Sequence, residues 1–240
     1  DTGRSVIVHR NTQALKILNN HLYYAGLLGN DLGMTYTFQA DGGGTEIAYN
    51  LLHDNFAPSE SMGIYLDNGS RNFVVHHNIV YNVRSALNLN LPTLNNKVYN
   101  NTLIGFAESV NSGAGRVSQC DATGTELINN IFNAQFSLGY VFDGTQCPNA
   151  SATPRFENNL VQTTNPRFTD ILSANFTLAA NSPAINKGRV LAPYTNGFTG
   201  NAPDIGALES GIAPFSTGAT ITEPCAYGDT CPRPAQPRYG

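Results

Sequence analysis

Short apolar runs that alternate with polar residues punctuate the chain: SVIVH, TEIAYN, GIYLDN, NFVVHHNIVYN and ALNLNL. Alternation at a period of two, bounded by Gly, Asn and Pro, predicts short β-strands separated by tight turns. A longer period is superimposed on it. Asn20, Asn50, Asn78, Asn101, Asn130 and Asn159 recur at steps of 30, 28, 23, 29 and 29 residues, in phrases such as ILNNHL, IAYNLL, VHHNIV, LINNIF and FENNLV. The sixth phrase, VYNNTL, varies slightly. Such a period marks a stacked repeat, in which residues at one offset lie above one another.

Helical repeats need helix formers at 3.6-residue spacing, usually with many Ala, Leu, Glu and Lys. Here only 12% of residues are charged, with 23 Gly and 13 Pro. The prediction is therefore all-β: a right-handed parallel β-helix, a single-stranded solenoid of about six coils with two or three strands each. The recurrent asparagines should sit at a bend, bonding backbone amides or the neighbour above, in a conformation Asn tolerates. Residues 1–165 are assigned to the coils, with Thr35–Ala40 as an excursion from the first coil. Residues 166–211, with APDIGALESG, should form a capping segment tied down by Asp204 and Glu209. Residues 212–240 read as an extended Pro/Thr/Gly-rich tail.

Composition narrows the function classes. The net charge of −4 and the lack of basic clusters argue against nucleic-acid binding. No apolar run reaches the roughly 20 residues that span a bilayer. Four cysteines suit two disulfides, Cys120–Cys147 and Cys225–Cys231, among three pairings open to sequence, and point to a secreted protein. Sequons at Asn68, Asn100, Asn149 and Asn175 match the about four expected by chance from this composition, so they carry no weight. The first strand is met almost at once, so further N-terminal coils or a second chain are expected to cover that edge.

The stretch ADGGGTEIAYNLLHDNF, GIYLDNGSRNFVVHHNIVYNVRSALNLNLP and NNKVYNNTLIG resembles the right-handed β-helix superfamily typified by pectate lyases. The ending NSPAINKG with APDIGALESG resembles the closing segment of secreted β-helix proteins. The resemblance spans roughly residues 5–211. It implies a carbohydrate-active protein, since the superfamily holds mostly polysaccharide lyases, glycoside hydrolases and epimerases, with some non-catalytic adhesins.

Stacking the repeats places Tyr23, His53 and Tyr81 at one offset and Tyr24, Asp54 and Asn82 at the next. Tyr65 and Asp67, on one strand face, are followed by Arg71; the next coil adds Arg84, Asn88 and Asn90. A lyase acting on a uronic acid must neutralise the substrate carboxylate and remove the proton alpha to it. Arg71 or Arg84 suits the first task through the guanidinium fork. Calcium held by Asp41, Asp54 and Asp67 would serve instead; otherwise no cofactor is expected. His53 is the expected base, ahead of Tyr65 and Arg71, with Asp67 organising the site. Tyr23, Tyr65, Tyr81, Arg84, Asn88 and Asn90 are the expected sugar-binding residues. A glycoside hydrolase would instead need two carboxylates, Asp67 with Asp54 or Asp41. A non-catalytic carbohydrate-binding solenoid is the third reading. For Asp67-Asn68-Gly69, a plain turn competes with a catalytic role. His76 and His77 should point to opposite sides of their strand.

Overall fold

A computed structural model of the chain describes residues 3–90, 92–105, 115–117, 121–133, 136–138, 153–161 and 163–218. The four cysteines, Asn149 and the tail beyond residue 218 lie outside the described residues. In chain order the strands are β1 (Ile7–Val8), β2 (Lys16–Leu18), β3 (His21–Ala25), β4 (Leu32–Phe38), β5 (Asp41–Ala48) and β6 (Leu51–Asn55). They continue as β7 (Ser61–Asp67), β8 (Arg71–His76), β9 (Ile79–Val83), β10 (Ser85–Leu89), β11 (Lys97–Tyr99) and β12 (Thr102–Gly105). The remainder are β13 (Gly115–Val117), β14 (Glu126–Ile128), β15 (Ile131–Asn133), β16 (Phe136–Leu138), β17 (Arg155–Glu157), β18 (Phe168–Asp170) and β19 (Asn175–Leu178).

Every third strand pairs in parallel. Sheet A takes β1, β4, β7, β10, β13 and β16; sheet B takes β2, β5, β8, β11, β14 and β17; sheet C takes β3, β6, β9, β12 and β15. The result is a right-handed parallel β-helix, the hand that strand twist imposes on parallel crossovers. Five turns carry a strand in all three sheets. The sixth adds β16, β17 and a single bridge from Leu160 to Ile131, so among the described residues the helix falls slightly short of six coils. Thr35–Phe38 is not an excursion: it lies within β4, paired on both sides with β1 and β7.

Strand alternation fills the lumen in columns. Ile17, Ile47, Val75, Val98 and Leu127 stack along sheet B, and Leu22, Leu52, Val80, Leu103 and Phe132 along sheet C. All are buried, and each contributes about 1.5–3 kcal/mol relative to exposure.

The asparagine ladder forms the corner between sheets B and C. Each side-chain oxygen accepts from the backbone N–H of the preceding ladder asparagine, at 2.8–3.1 Å for the five steps. Each Nδ2 from Asn50 to Asn159 reaches back to a carbonyl one turn earlier, as from Asn78 to Ile47 at 2.8 Å. The left-handed backbone is carried one position earlier than expected, by Asn19, Tyr49, His77, Asn100, Asn129 and Asn158. A single left-handed residue turns the chain, leaving the next asparagine free to face inward.

After the sixth turn, the antiparallel β18–β19 hairpin packs Phe168 and Phe176 near Ile79 and Tyr81 of sheet C. The chain then returns lengthwise along the B–C corner. Gly206 N–H donates to Asn129, Asn100 donates to Asp204, and Gly218 N–H donates to Asn19. Asp204 and Glu209 hold this segment together: Asp204 accepts from the amides of Asn186 and Ser210, and Glu209 from those of Thr199 and Asp204.

Candidate active site

The polar residues singled out by the repeat fall into three groups. On the outer face of sheet A, Tyr36 and Tyr65 share a register position, with Asn88 next in line. Asp67 is buried beside them. Its Oδ2 accepts from the Tyr36 hydroxyl at 2.9 Å; its Oδ1 accepts from Asn90 Nδ2 and the Asn68 amide, both at 2.8 Å. Burial first, then Asp67, pushes Tyr36 up to about 12 and Tyr65 well above its ordinary value. Both phenols therefore stay protonated, as donors to Asp67 rather than as bases. The Arg10 guanidinium lies 6.0 Å from the Tyr36 ring centre and 5.8 Å from that of Phe38.

At the start of sheet B, Arg71 Nε donates to Asp41 at 3.1 Å, and Asn72 Nδ2 and the Gly43 amide also bond that carboxylate. These bonds, that from Asn72 the strongest, hold the Asp41 carboxyl below its usual range. Asp41 and Arg71 satisfy each other, a corner clasp rather than a substrate contact.

The third group occupies the outer face and trailing corner of sheet C. Tyr23, His53 and Tyr81 stand in register, as the repeat predicts. The His53 ring is sandwiched between Tyr23 at 5.6 Å and Tyr81 at 4.8 Å, inclined by 11° and 17°. Its Nδ1 lies 2.8 Å from Asp54 Oδ2, and its Nε2 lies 2.7 Å from Nε2 of His21. Asn82 donates to the other oxygen of Asp54. Tyr24 lies edge-on to Tyr23, and Phe56, 47% exposed, adds a further ring 5.8 Å from Tyr24. Arg84, two residues past Asn82, donates Nη2 to the Pro58 carbonyl in the adjoining turn at 2.9 Å.

Proton positions follow from these contacts. Asp54 accepts, so His53 carries its proton on Nδ1 and offers Nε2 as an acceptor. His21 then donates its Nε2–H and keeps a bare Nδ1, which has no partner among the described residues. Burial, then His53, lowers the pKa of His21, while Asp54 raises it. His21 is thus neutral near pH 7, and a proton taken there is stabilised through His53 by Asp54.

Tyr23, His53, Asp54 and Tyr81 therefore converge, while Arg84 lies three residues past Tyr81 and bonds the adjoining turn. His53, Asp67 and Arg71 do not share a groove: they belong to sheets C, A and B respectively. Asp41, Asp54 and Asp67 bond separate sets of partners at three different strand ends, so they form no common calcium cage. Among the described residues, no group of three or more His, Cys, Asp or Glu is placed to hold a metal ion. Nor does Asp67 gain a second carboxylate as hydrogen-bond partner. His53 itself is not the free base, because both its nitrogens and both its faces are engaged.

His76 and His77 also depart from strand alternation. His77 takes the left-handed corner position, so both rings lie outside the lumen with their Nδ1 atoms 2.9 Å apart. His21 was the residue sequence reasoning missed. Its column reads His21, Leu51, Ile79, Thr102 and Ile131, and a histidine opening that column was the available signal.

No family model and no curated protein matches the chain. Among solved structures it is similar to pectate lyase Pel9A, with a TM-score of 0.36 and 14% identity over 85% of this chain and 69% of that one. A likeness this distant supplies no residue correspondence.

Proposed function

We propose that the sheet C corner binds an acidic polysaccharide and cleaves it by β-elimination. The observation that carries this reading is the Asp54–His53–His21 chain, which ends in a neutral, outward-facing imidazole nitrogen. Aromatic rings beside it give a sugar flat surfaces to lie against, and Arg84, two turns on and further along the sheet, offers a cation to another uronate of the same polymer. His21 Nδ1 takes the proton alpha to the carboxylate of the uronate at the scissile bond. The electron pair left behind forms the new ring double bond and expels the glycosidic oxygen, which takes a proton from water; His21 returns its own proton to solvent. Asp54 and His53 are positioning residues that set the tautomer of His21 and stabilise its protonated form. A polymer substrate of this kind places the protein outside the cell.

A panel of uronate-containing polysaccharides, followed by ultraviolet absorbance, tests this directly. Growth of an absorbing unsaturated product is expected on at least one substrate. Loss of that signal in both His21→Ala and Asp54→Asn, each still folded by circular dichroism, would support the relay. Binding without product across the panel would leave a non-catalytic solenoid and sink the reading.

A further inference from the structure

The B–C corner carries a second carboxylate–histidine–histidine chain that the proposed chemistry does not use. His76 Nε2 lies 2.7 Å from Glu46 Oε1, and Lys16 bonds the other oxygen of Glu46. The Lys16 bond, with smaller help from His76, holds the Glu46 carboxyl below its usual range. Glu46 is therefore an ionised acceptor, and His76 carries its proton on Nε2. Burial keeps His76 neutral, so its Nδ1 has only a lone pair. The contact between the two Nδ1 atoms then requires His77 to donate. Burial, and then His76, lowers the His77 pKa to about 3. Its Nε2 is thus a fixed lone pair with no partner among the described residues.

That ring lines a cavity of about 230 Å³ between the corner and the returning C-terminal segment. Tyr49 stacks on His77 at 5.1 Å, and Phe215 meets Tyr49 edge-on at 5.5 Å. Phe198, Leu208 and Ile212 supply further apolar wall. Three of the other polar side chains are already committed, while Tyr49, Tyr194 and Asn196 also carry polar groups in the wall. Asn100 bonds Asp204 and accepts from Asn129; Thr195 Oγ1 accepts from Leu191; Glu209 accepts from two amides. An apolar cavity of about 150 Å³ is large enough for benzene, so this one admits a single substituted ring.

We infer that this cavity is a binding site for a small neutral aromatic alcohol, its ring held against Tyr49 and Phe215 and its hydroxyl donating to His77 Nε2. A donor is required because Nε2 offers only a lone pair, and Glu209 in the wall disfavours an anion. The site is independent of the lyase reading, since it shares no residue with the sheet C corner.

Titrating the intact chain with p-cresol, toluene and benzylamine, followed by ¹H–¹⁵N NMR including the histidine ring nitrogens, tests it. p-Cresol should bind at least tenfold more tightly than toluene, shift the His77 Nε2 resonance and perturb the rings of Tyr49 and Phe215. In His77→Phe the preference for p-cresol should vanish while toluene still binds. Equal affinity for p-cresol and toluene, tighter binding of benzylamine, or p-cresol binding without a change at His77 Nε2 would overturn the inference. The nitrogen resonance is read in the unsubstituted chain, so the test stands even where His77→Phe does not fold.

Discussion

Replacing Asn78 with Ala removes the centre of the ladder without touching the hydrophobic lumen. Asn78 is fully buried and its side chain takes part in five hydrogen bonds. It accepts from the backbone and side chain of Asn50 at 3.1 and 2.9 Å, and donates to Ile47, His76 and Asn101 at 2.8, 3.0 and 2.9 Å. A typical bond contributes about 0.5–1.5 kcal/mol, and an orphaned buried donor such as the Asn50 amide costs about 1–3 kcal/mol. The loss should be on the order of 4 kcal/mol, a large share of the roughly 5–15 kcal/mol that holds a domain folded. Asn20, at the first rung, loses only its bonds to Leu18 and Asn50, both at a part-exposed position. Asn20→Ala should therefore cost about 1 kcal/mol. Urea unfolding at pH 7, followed by far-ultraviolet circular dichroism, compares the two through their midpoints. Equal costs for Asn78→Ala and Asn20→Ala would refute the ladder as the element that locks one turn onto the next.

Asp67→Asn should lower stability by about 1–3 kcal/mol, because an amide offers the surrounding donors only one acceptor oxygen. Turnover per folded molecule should stay unchanged, whereas a hydrolase relying on Asp67 would lose it; parallel melts and product assays separate the two. Burial lowers His9 to about 4 and His77 to about 3, so both are neutral in the folded chain and protonate near 6.5 when unfolded. Stability should be complete above about pH 6.5 and fall as pH drops towards 4, by roughly 1.4 kcal/mol per unit for each histidine. Urea midpoints that are flat between pH 7 and 5 would contradict this. Thr37 is buried at a lumen position shared with Leu66, and its hydroxyl has no partner among the described residues. Thr37→Val should raise the urea midpoint, by about 1 kcal/mol in stability, and a lower midpoint would show that the hydroxyl is satisfied.

The fold was legible because the asparagine phrase and the strand alternation are both local signals repeated many times. The register of Tyr23, His53 and Tyr81 followed at once, as did the placing of Asn88 and Asn90 in the coil after Asp67; that Asn90 is the partner came from the structure. What sequence could not show was which face each group takes. Faces are set by the left-handed residues, and one such residue at His77 is enough to put two adjacent histidines on the same side. The distance between offsets was likewise hidden: Asp67 and Arg71 are four residues apart yet flank a corner that gives each its own partner. His21 escaped notice because it occupies an otherwise largely apolar column, where the repeat suggests packing rather than chemistry. The Asn100 sequon also changes meaning in three dimensions. Its side chain is buried against Asp204, so a folded chain has no room there for a glycan.

Mass spectrometry of the oligosaccharides released from a uronate polysaccharide speaks most directly to the proposed chemistry. Elimination leaves each new non-reducing end one water lighter than hydrolysis would, and those ends should appear with the unsubstituted chain and disappear with His21→Ala. Ends that have gained water, or unsaturated ends made equally well without the His21 imidazole, would contradict it.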